Sequence, residues 1–272
     1  MEQQSIIAGF QQVDHSQHQF LMKFLEDVAD QSVVKESLEL QIKLLDAKPG
    51  DHLLDVGCGI GIQAKRIAEE VAPTGKFVGT DMSSVMIELA KERTADLNLP
   101  IEFYVAEADS QPFPDESFDG IRTERVLMYI SNTQKVFQEF MRLLKPGGRL
   151  VVFDFHWDGS LISHKDKVLT RKIIQYTTDS FPNGYLGTDL HRQLRNVGFQ
   201  NINIQPYNYS GTNEILFELI KRAYGGILQS GVENGTFTQH EIDNWWQALE
   251  DDAETGNFFV SLAGIIAYGI KG

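Results

Sequence analysis

Cysteine is almost missing from this sequence: Cys58 is the single one among 272 residues. A disulfide within the chain is thereby excluded, and the composition suits a reducing, cytoplasmic setting. Long hydrophobic runs are missing as well. The longest mainly apolar stretch, residues 258–270, falls short of the roughly 20 residues that span a bilayer. A buried final strand is expected there, with no stable membrane insertion. The first twenty residues carry Gln, His and Asp and lack the apolar core of a signal peptide. Positive charge is scarce: 24 Lys and Arg stand against 38 Asp and Glu, a formal net charge of −14. No Lys/Arg cluster interrupts that excess, so a phosphate backbone would be repelled and nucleic acid is not an expected partner. His and Cys never fall at a metal-ligand spacing, so no metal is expected. No internal repeat or low-complexity linker divides the chain.

What is present is an alternation. Two amphipathic helices come first, over residues 20–28 and 33–45; in the second, Val34, Leu38, Ile42 and Leu45 recur at helical spacing. After the turn Lys48-Pro49-Gly50-Asp51, strands are read at 52–56, 76–80, 101–106, 118–123 and 149–155. Helices are read between them at 62–71, 83–97 and 133–144, with Ser83 as an N-cap. The fourth strand is short and carries one cation, Arg122, and Lys145-Pro146-Gly147-Gly148 reads as a turn closing the third of these helices. This rhythm implies an α/β fold with a parallel sheet and helices on both faces. Beyond Phe155 the rhythm breaks. Helices over 189–196, 213–229 and 239–252 and a strand over 199–209 follow, enough helix to form a lid over one sheet edge.

The chemistry concentrates at strand ends. Gly57, Gly59 and Gly61 follow a buried strand and precede a helix, where backbone can turn sharply and approach a ligand closely. The following helix offers unpaired N–H groups, at the carboxyl end where open α/β sheets bind ligands. A tight strand-to-helix turn would explain the same glycines. Their G-x-G-x-G spacing differs from the G-x-G-x-x-G of dinucleotide folds. Asp55 either fixes the loop or meets a ligand ammonium. Asp81, at the tip of the second strand, either accepts the ribose hydroxyls of an adenosine or is an acid at a helix start. After the third strand comes Ala106-Glu107-Ala108-Asp109, where a carboxylate could accept from an adenine amino group. Thr123, Glu124 and Arg125 end the fourth strand beside the first.

Together these residues resemble the class I S-adenosylmethionine-dependent methyltransferases, in the small-molecule branch that includes the ubiquinone/menaquinone type. The matching segments are Leu53-Leu54-Asp55-Val56-Gly57-Cys58-Gly59-Ile60-Gly61, Gly79-Thr80-Asp81-Met82-Ser83, Gln111-Pro112-Phe113-Pro114-Asp115-Glu116-Ser117-Phe118-Asp119 and Leu143-Leu144-Lys145-Pro146-Gly147-Gly148-Arg149-Leu150. The resemblance implies a Rossmann-like, seven-stranded, mostly parallel sheet with N-terminal helices and a helical lid. Residues 1–50 would be a helical cap and 51–272 the methyltransferase domain, with lid insertions at about 156–188 and 211–255. The Gly57, Cys58, Gly59 and Gly61 loop would hold the methionyl part of the cofactor, Asp81 the ribose, and Met82 would pack on adenine. The adenine amino contact falls to Glu107, with Ala108 beside it and Asp109 as rival; Thr123 and Glu124 complete the cofactor set.

The implied reaction passes a methyl group from S-adenosylmethionine to an O, N or C nucleophile of a small-molecule acceptor, releasing S-adenosylhomocysteine. His156, directly after the fifth strand, is the candidate base, or else a histidine packed beside Trp157. Trp157 and Tyr185 are candidate substrate-pocket walls. Gln12 and His18 could touch the cofactor if the leading segment folds over it. Cys58 fits a small buried site. A cofactor-binding protein without transferase activity, acting as sensor or assembly partner, is the competing reading. A monomer or homodimer is expected.

Overall fold

The computed structural model describes residues 18–272. The expectation for Gln12 lies outside these residues, as does that for the side chain of His18. Helix α1 (His18–Ala29) and helix α2 (Ser32–Leu45) lead into an alternating unit: β1 (His52–Val56), α3 (Ala64–Val71), β2 (Lys76–Asp81), α4 (Ser84–Thr94), β3 (Ile101–Val105), β4 (Phe118–Glu124), α5 (Thr133–Leu143) and β5 (Leu144–Phe155). Beyond it come β6 (Leu161–Ile162), α6 (Lys167–Ser180), α7 (Leu186–Val197), β7 (Gln200–Pro206), β8 (Tyr209–Gly211), α8 (Glu214–Glu233) and α9 (Gln239–Glu254). Strands β9 (Val260–Leu262) and β10 (Gly264–Ile270) come last.

The main sheet has seven strands in the order β3-β2-β1-β4-β5-β10-β7. The first five are mutually parallel, and β10 runs antiparallel to both neighbours. The chain winds outward from β1 to β3, then returns to lay β4 against the other side of β1. The reversal makes the carboxyl ends of β1 and β4 the topological switch point, where such sheets leave a crevice. Strand β1 is buried along Leu53, Leu54, Asp55 and Val56, because helices cover both faces. On one face α2 contributes Leu38 and Ile42 and α3 contributes Ile67, Ala68 and Val71. On the other, Val136, Phe137 and Phe140 of α5 meet Leu190 and Leu194 of α7. Ser83 caps α4 as its position suggested, its hydroxyl accepting from the Met86 N–H at 3.1 Å.

Three segments depart from the sequence reading. Lys145-Pro146-Gly147-Gly148 is not a free turn: it belongs to β5 as a bulge, the register jumping from Phe118↔Leu144 to Gly120↔Arg149. The bulge is tied to the chain end by Gly147 N–H donating to the Lys271 carbonyl at 2.8 Å. Residues 258–270 are two strands. Strand β9 pairs with β6 and β8 in a second, three-stranded sheet, and β10 returns to the main sheet. The read strand at 199–209 splits in the same way into β7 and β8. Both crossings occur side by side, the Tyr207 N–H donating to the Gly264 carbonyl at 2.7 Å. Gly264 is required there, since a Cβ would lie 2.2 Å from the Tyr207 oxygen.

Among the described residues no helix is long and apolar enough to cross a membrane.

Candidate active site

The three loop glycines have left-handed φ values of +76° (Gly57), +54° (Gly59) and +67° (Gly61), but different reasons for lacking a side chain. A Cβ on Gly57 would lie 2.1 Å from Cγ2 of Val126, and one on Gly61 would press on Ala90 and the Phe103 ring at 3.0 and 3.1 Å. Over Gly59 only Leu25 of α1 comes near, at 3.9 Å. Gly57 and Gly61 are thus fixed by packing, whereas Gly59 leaves its backbone open to a ligand. The loop is held to the next strand by Gly57 and Cys58 N–H groups donating to the Thr80 carbonyl at 2.7 and 2.9 Å. Asp81 then links the loop to α4: it accepts from the Gly59 N–H and from the Ser83 N–H, each at 3.0 Å.

These groups open onto one cavity of about 500 Å³ that continues beneath α1 and α8. Its first half is walled by Gly57, Cys58, Gly59, Asp81, Met82 and Glu107. Met82 is 55% exposed, a flat thioether surface beside Asp81. Glu107 and Ala108 lie in the wall, while Asp109 lies outside it on the surface. Gly61 also stays outside the wall, behind the loop. Thr123 does not reach the cavity: it is fully buried in β4 and faces the core. Cys58 lines the wall as a neutral thiol, its pKa pushed well up by burial and by the carboxylates of Asp55 and Asp81. Its neighbourhood lacks the cationic character that activates a cysteine.

The floor is a buried charge cluster that the sequence reading did not assemble. Asp55 on β1 stands in register with Arg122 on β4. Arg122 Nη1 donates to Asp55 Oδ1 at 2.8 Å and its Nε donates to Gln41 Oε1 of α2 at 2.9 Å, while Nη2 meets Glu124. Burial pushes the Asp55 carboxyl up and the Arg122 charge pulls it back down. Burial also opposes the Arg122 charge, and the Asp55 and Glu124 carboxylates more than offset it. Of the two roles open for Asp55, the geometry gives it the first, bracing the loop from below. Arg122, the one cation of this largely buried strand, was the available signal.

The second half of the cavity is aromatic. Phe155, Trp157, Phe181, Tyr129 and Tyr209 line it. Trp157 stacks on Phe181 with centroids 4.8 Å apart at 11°, and its indole N–H donates to the Met128 sulfur at 3.3 Å. Burial pushes the phenols of Tyr129 and Tyr209 above their ordinary range, so both stay protonated. The turn Leu127–Tyr129 that delivers Met128 and Tyr129 is pinned by Asp154, whose Oδ2 accepts from the Leu127 and Met128 N–H groups at 2.8 and 3.2 Å. Burial pushes the Asp154 carboxyl up to about 7, against the three backbone N–H groups that favour its charge.

Two sequence candidates fall outside the cavity. His156 sits between Phe155 and Trp157, and strand alternation sends its ring the other way. The ring is wedged against Gly159 and Gly187 with its Nδ1 buried without a hydrogen bond, and the backbone N–H of His156 donates to the Ala263 carbonyl. The His156 ring is thus packed outside the cavity wall. Tyr185 is 40% exposed at the start of α7 and donates to Asp179 at 2.7 Å; it walls no pocket. Trp157 does line the cavity. Phe181, Tyr129 and Tyr209 were missed, because no local pattern joins residues brought in by three separate elements. Trp245 and Trp246 pack within the lid, the Trp245 indole donating to Thr170 at 3.0 Å.

The donor set fits S-adenosylmethionine. Of the charged side chains in the wall, Asp55, Asp81, Glu107 and Glu124 oppose Arg122 and Arg125, an excess of negative charge suited to a sulfonium and an ammonium. The close backbone approach is at Gly59.

The methyltransferase-domain family matches residues 47–198, more than half of the chain. An uncharacterised 37.1 kDa protein from a transposon of Streptomyces fradiae is 34% identical over 180 residues, covering 65% of this chain and 52% of that one. A ubiquinone/menaquinone biosynthesis C-methyltransferase of Ectopseudomonas mendocina is 30% identical over 165 residues, covering 56% of this chain and 64% of that one. The chain thus spans less than two thirds of the length of either relative. Among solved structures, the YcgJ protein of a Bacillus superposes with a TM-score of 0.61 at 21% identity, covering 87% of this chain and 98% of that one; that likeness is one of fold. The family match, the seven-stranded sheet and the loop that opens on the switch point lead to one conclusion: this chain belongs to the S-adenosylmethionine-dependent methyltransferase-domain family.

Proposed function

We propose that the chain transfers a methyl group from S-adenosylmethionine to a small, largely apolar or aromatic acceptor held in the second half of the cavity. The observation that carries this is continuity: the carboxylate-lined half beside Gly59 and the aromatic half around Trp157 are one space. Bound cofactor supplies an electrophilic methyl group on a sulfonium. The residues of this chain bind, orient and exclude water. Asp81 takes the ribose, Met82 packs on adenine, Glu107 receives the adenine amino group, and the Gly57, Cys58 and Gly59 backbone holds the methionyl end. Gly61 and Thr123 support these from behind, and Asp55 and Glu124 act through Arg122. Leu25 and Val28 of α1 with Leu219 of α8 close the cavity above. Alignment in such a closed site can supply on the order of 7–11 kcal/mol of the barrier without covalent help, which suits a wall that among the described residues presents neutral phenols and no histidine. The relative named as a ubiquinone/menaquinone biosynthesis C-methyltransferase supports an acceptor of this kind.

A mass-shift screen of metabolites with isotope-labelled cofactor tests the reading. One or more ring-bearing small molecules should gain a labelled methyl group. Labelling confined to protein or nucleic acid, or none with bound cofactor, would contradict it; the latter outcome would favour the sensor reading.

A further inference from the structure

Asp154 stands near the end of β5 at 1% exposure, outside the cavity wall. Burying a carboxylate is costly unless donors offset it. Here the donors are backbone. Oδ2 takes the Leu127 and Met128 N–H groups, and Oδ1 takes the Phe155 N–H at 2.9 Å. The first two amides open the single turn Leu127–Tyr129, where so short a helix has no partner of its own to give them. A strand residue thus caps a turn from a distant part of the chain. Three aromatic walls hang from that turn. Tyr129 is its last residue. The Met128 sulfur takes the Trp157 indole N–H. The Met128 carbonyl accepts from the Asn183 N–H at 3.0 Å, just beyond Phe181, and the Gly184 carbonyl accepts from the Trp157 backbone N–H at 3.1 Å. Phe181 in turn packs against Tyr129 and Trp157, with centroids 5.8 and 4.8 Å away. Met128 therefore ties together segments far apart in sequence, and Asp154 holds Met128 by its backbone. None of these bonds involves the glycine loop, Asp81 or Glu107.

We propose that Asp154 is the positioning residue of the acceptor half: by capping the turn at 127–129 it sets Tyr129, Trp157 and Phe181 as one unit, and so governs acceptor binding without governing cofactor binding. This deepens the methyltransferase reading and rests on it. The effect is preorganisation. With the turn capped, the rings stand as a wall already shaped for a flat acceptor. Without the cap, two buried N–H groups lose their partner, the turn loosens, and Met128 no longer fixes the indole. The acceptor must then order the wall as it binds, which lowers its affinity.

The test uses the full chain labelled with 5-fluorotryptophan, which places fluorine on Trp157 in the wall and on Trp245 and Trp246 of α9. Fluorine NMR reads each indole separately. Asp154→Ala should shift or broaden the Trp157 resonance and leave those of Trp245 and Trp246 in place. Asp154→Asn keeps an oxygen for the Leu127 and Met128 N–H groups and should restore the Trp157 resonance. Calorimetry then follows 2-naphthol, a flat probe, on the chain saturated with S-adenosylhomocysteine. Asp154→Ala should bind it about tenfold more weakly, and Asp154→Asn should recover to within about threefold. Affinity for S-adenosylhomocysteine itself should stay within about twofold throughout. Met128→Leu keeps the side-chain volume and so the fold, even where Asp154→Ala fails to fold; it removes the sulfur acceptor and should shift the same resonance. A Trp157 resonance that stays in place, naphthol affinity unchanged in Asp154→Ala, or no rescue by asparagine overturns the proposal. So does an equal loss of S-adenosylhomocysteine affinity, since Asp154 would then support the fold at large. An unmodified chain that binds S-adenosylhomocysteine but not 2-naphthol also overturns it, because the aromatic half would not be a ring site. Failure of the unmodified chain to bind S-adenosylhomocysteine overturns the methyltransferase reading itself, and is thereby distinct from the other outcomes.

Discussion

Arg122 is one side chain on which several buried charges depend. Its side chain is 4% exposed, and it holds Asp55 beneath the glycine loop, Glu124 at the end of β4 and Gln41 of α2. Replacing it with Met would leave two carboxylates buried without their counter-ion. Chemical denaturation should show a loss of about 3–5 kcal/mol; a loss below about 1 kcal/mol would mean the cluster is not a unit. Asp154 gives a second test. In the folded chain its carboxyl is pushed up to about 7 from the model-compound value of 3.8, so between those two pH values the folded state binds more proton than the unfolded one. Stability contributed by this group is full below about pH 4 and falls as pH rises toward 7. Asp154→Asn keeps an oxygen for the Leu127 and Met128 N–H groups and removes the titration. The thermal midpoint of the unmodified chain should decline over that window relative to the variant. Parallel curves would contradict the assignment.

At the scale of elements, the glycine loop separates packing from ligand approach. Gly61→Ala presses on Ala90 and Phe103 and should cost stability; Gly59→Ala meets open space and should cost stability only through its φ of +54°, about 1–2 kcal/mol. Titration with S-adenosylhomocysteine should nonetheless find Gly59→Ala the weaker binder of the two once both are folded. Equal affinities would remove the close approach at Gly59. Strand alternation makes a parallel point about His156. With its ring between Gly159 and Gly187 and away from the cavity, His156→Ala should leave turnover and its pH profile intact; a lost basic limb would restore it as a base. Much of the element pattern could be read from spacing alone, because β1 alternates with amphipathic helices whose buried positions recur every three or four residues. The sheet switches at Tyr207 and Gly264 could not. Leu262-Ala263-Gly264-Ile265 carries apolar residues through the second crossing and alternating residues continue through Tyr207-Asn208-Tyr209 at the first, so only contacts distant in sequence tell where one sheet ends. For His156 the sequence left base and packing both open, and the structure puts Phe155 and Trp157 on either side of it in the cavity wall.

For the whole molecule, the cavity is a joint product of the sheet and the lid. The switch point between β1 and β4 supplies the carboxylates and the loop, whose order along the chain was legible. The helices α1 and α8 and the strand β8 supply Leu25, Leu219 and Tyr209, which meet only after folding. That is why Gly57, Cys58, Gly59, Asp81, Met82 and Glu107 of the first half could be picked out from sequence, while the aromatic half, Trp157 apart, could not. The central claim is that this shared space binds S-adenosylmethionine through the loop and Asp81. Calorimetric titration of the full chain measures it most directly. Micromolar binding of S-adenosylhomocysteine, no response to NAD, and at least about a tenfold loss on Asp81→Ala are predicted. Tight NAD binding, or unchanged affinity in the Asp81 variant, would contradict the account.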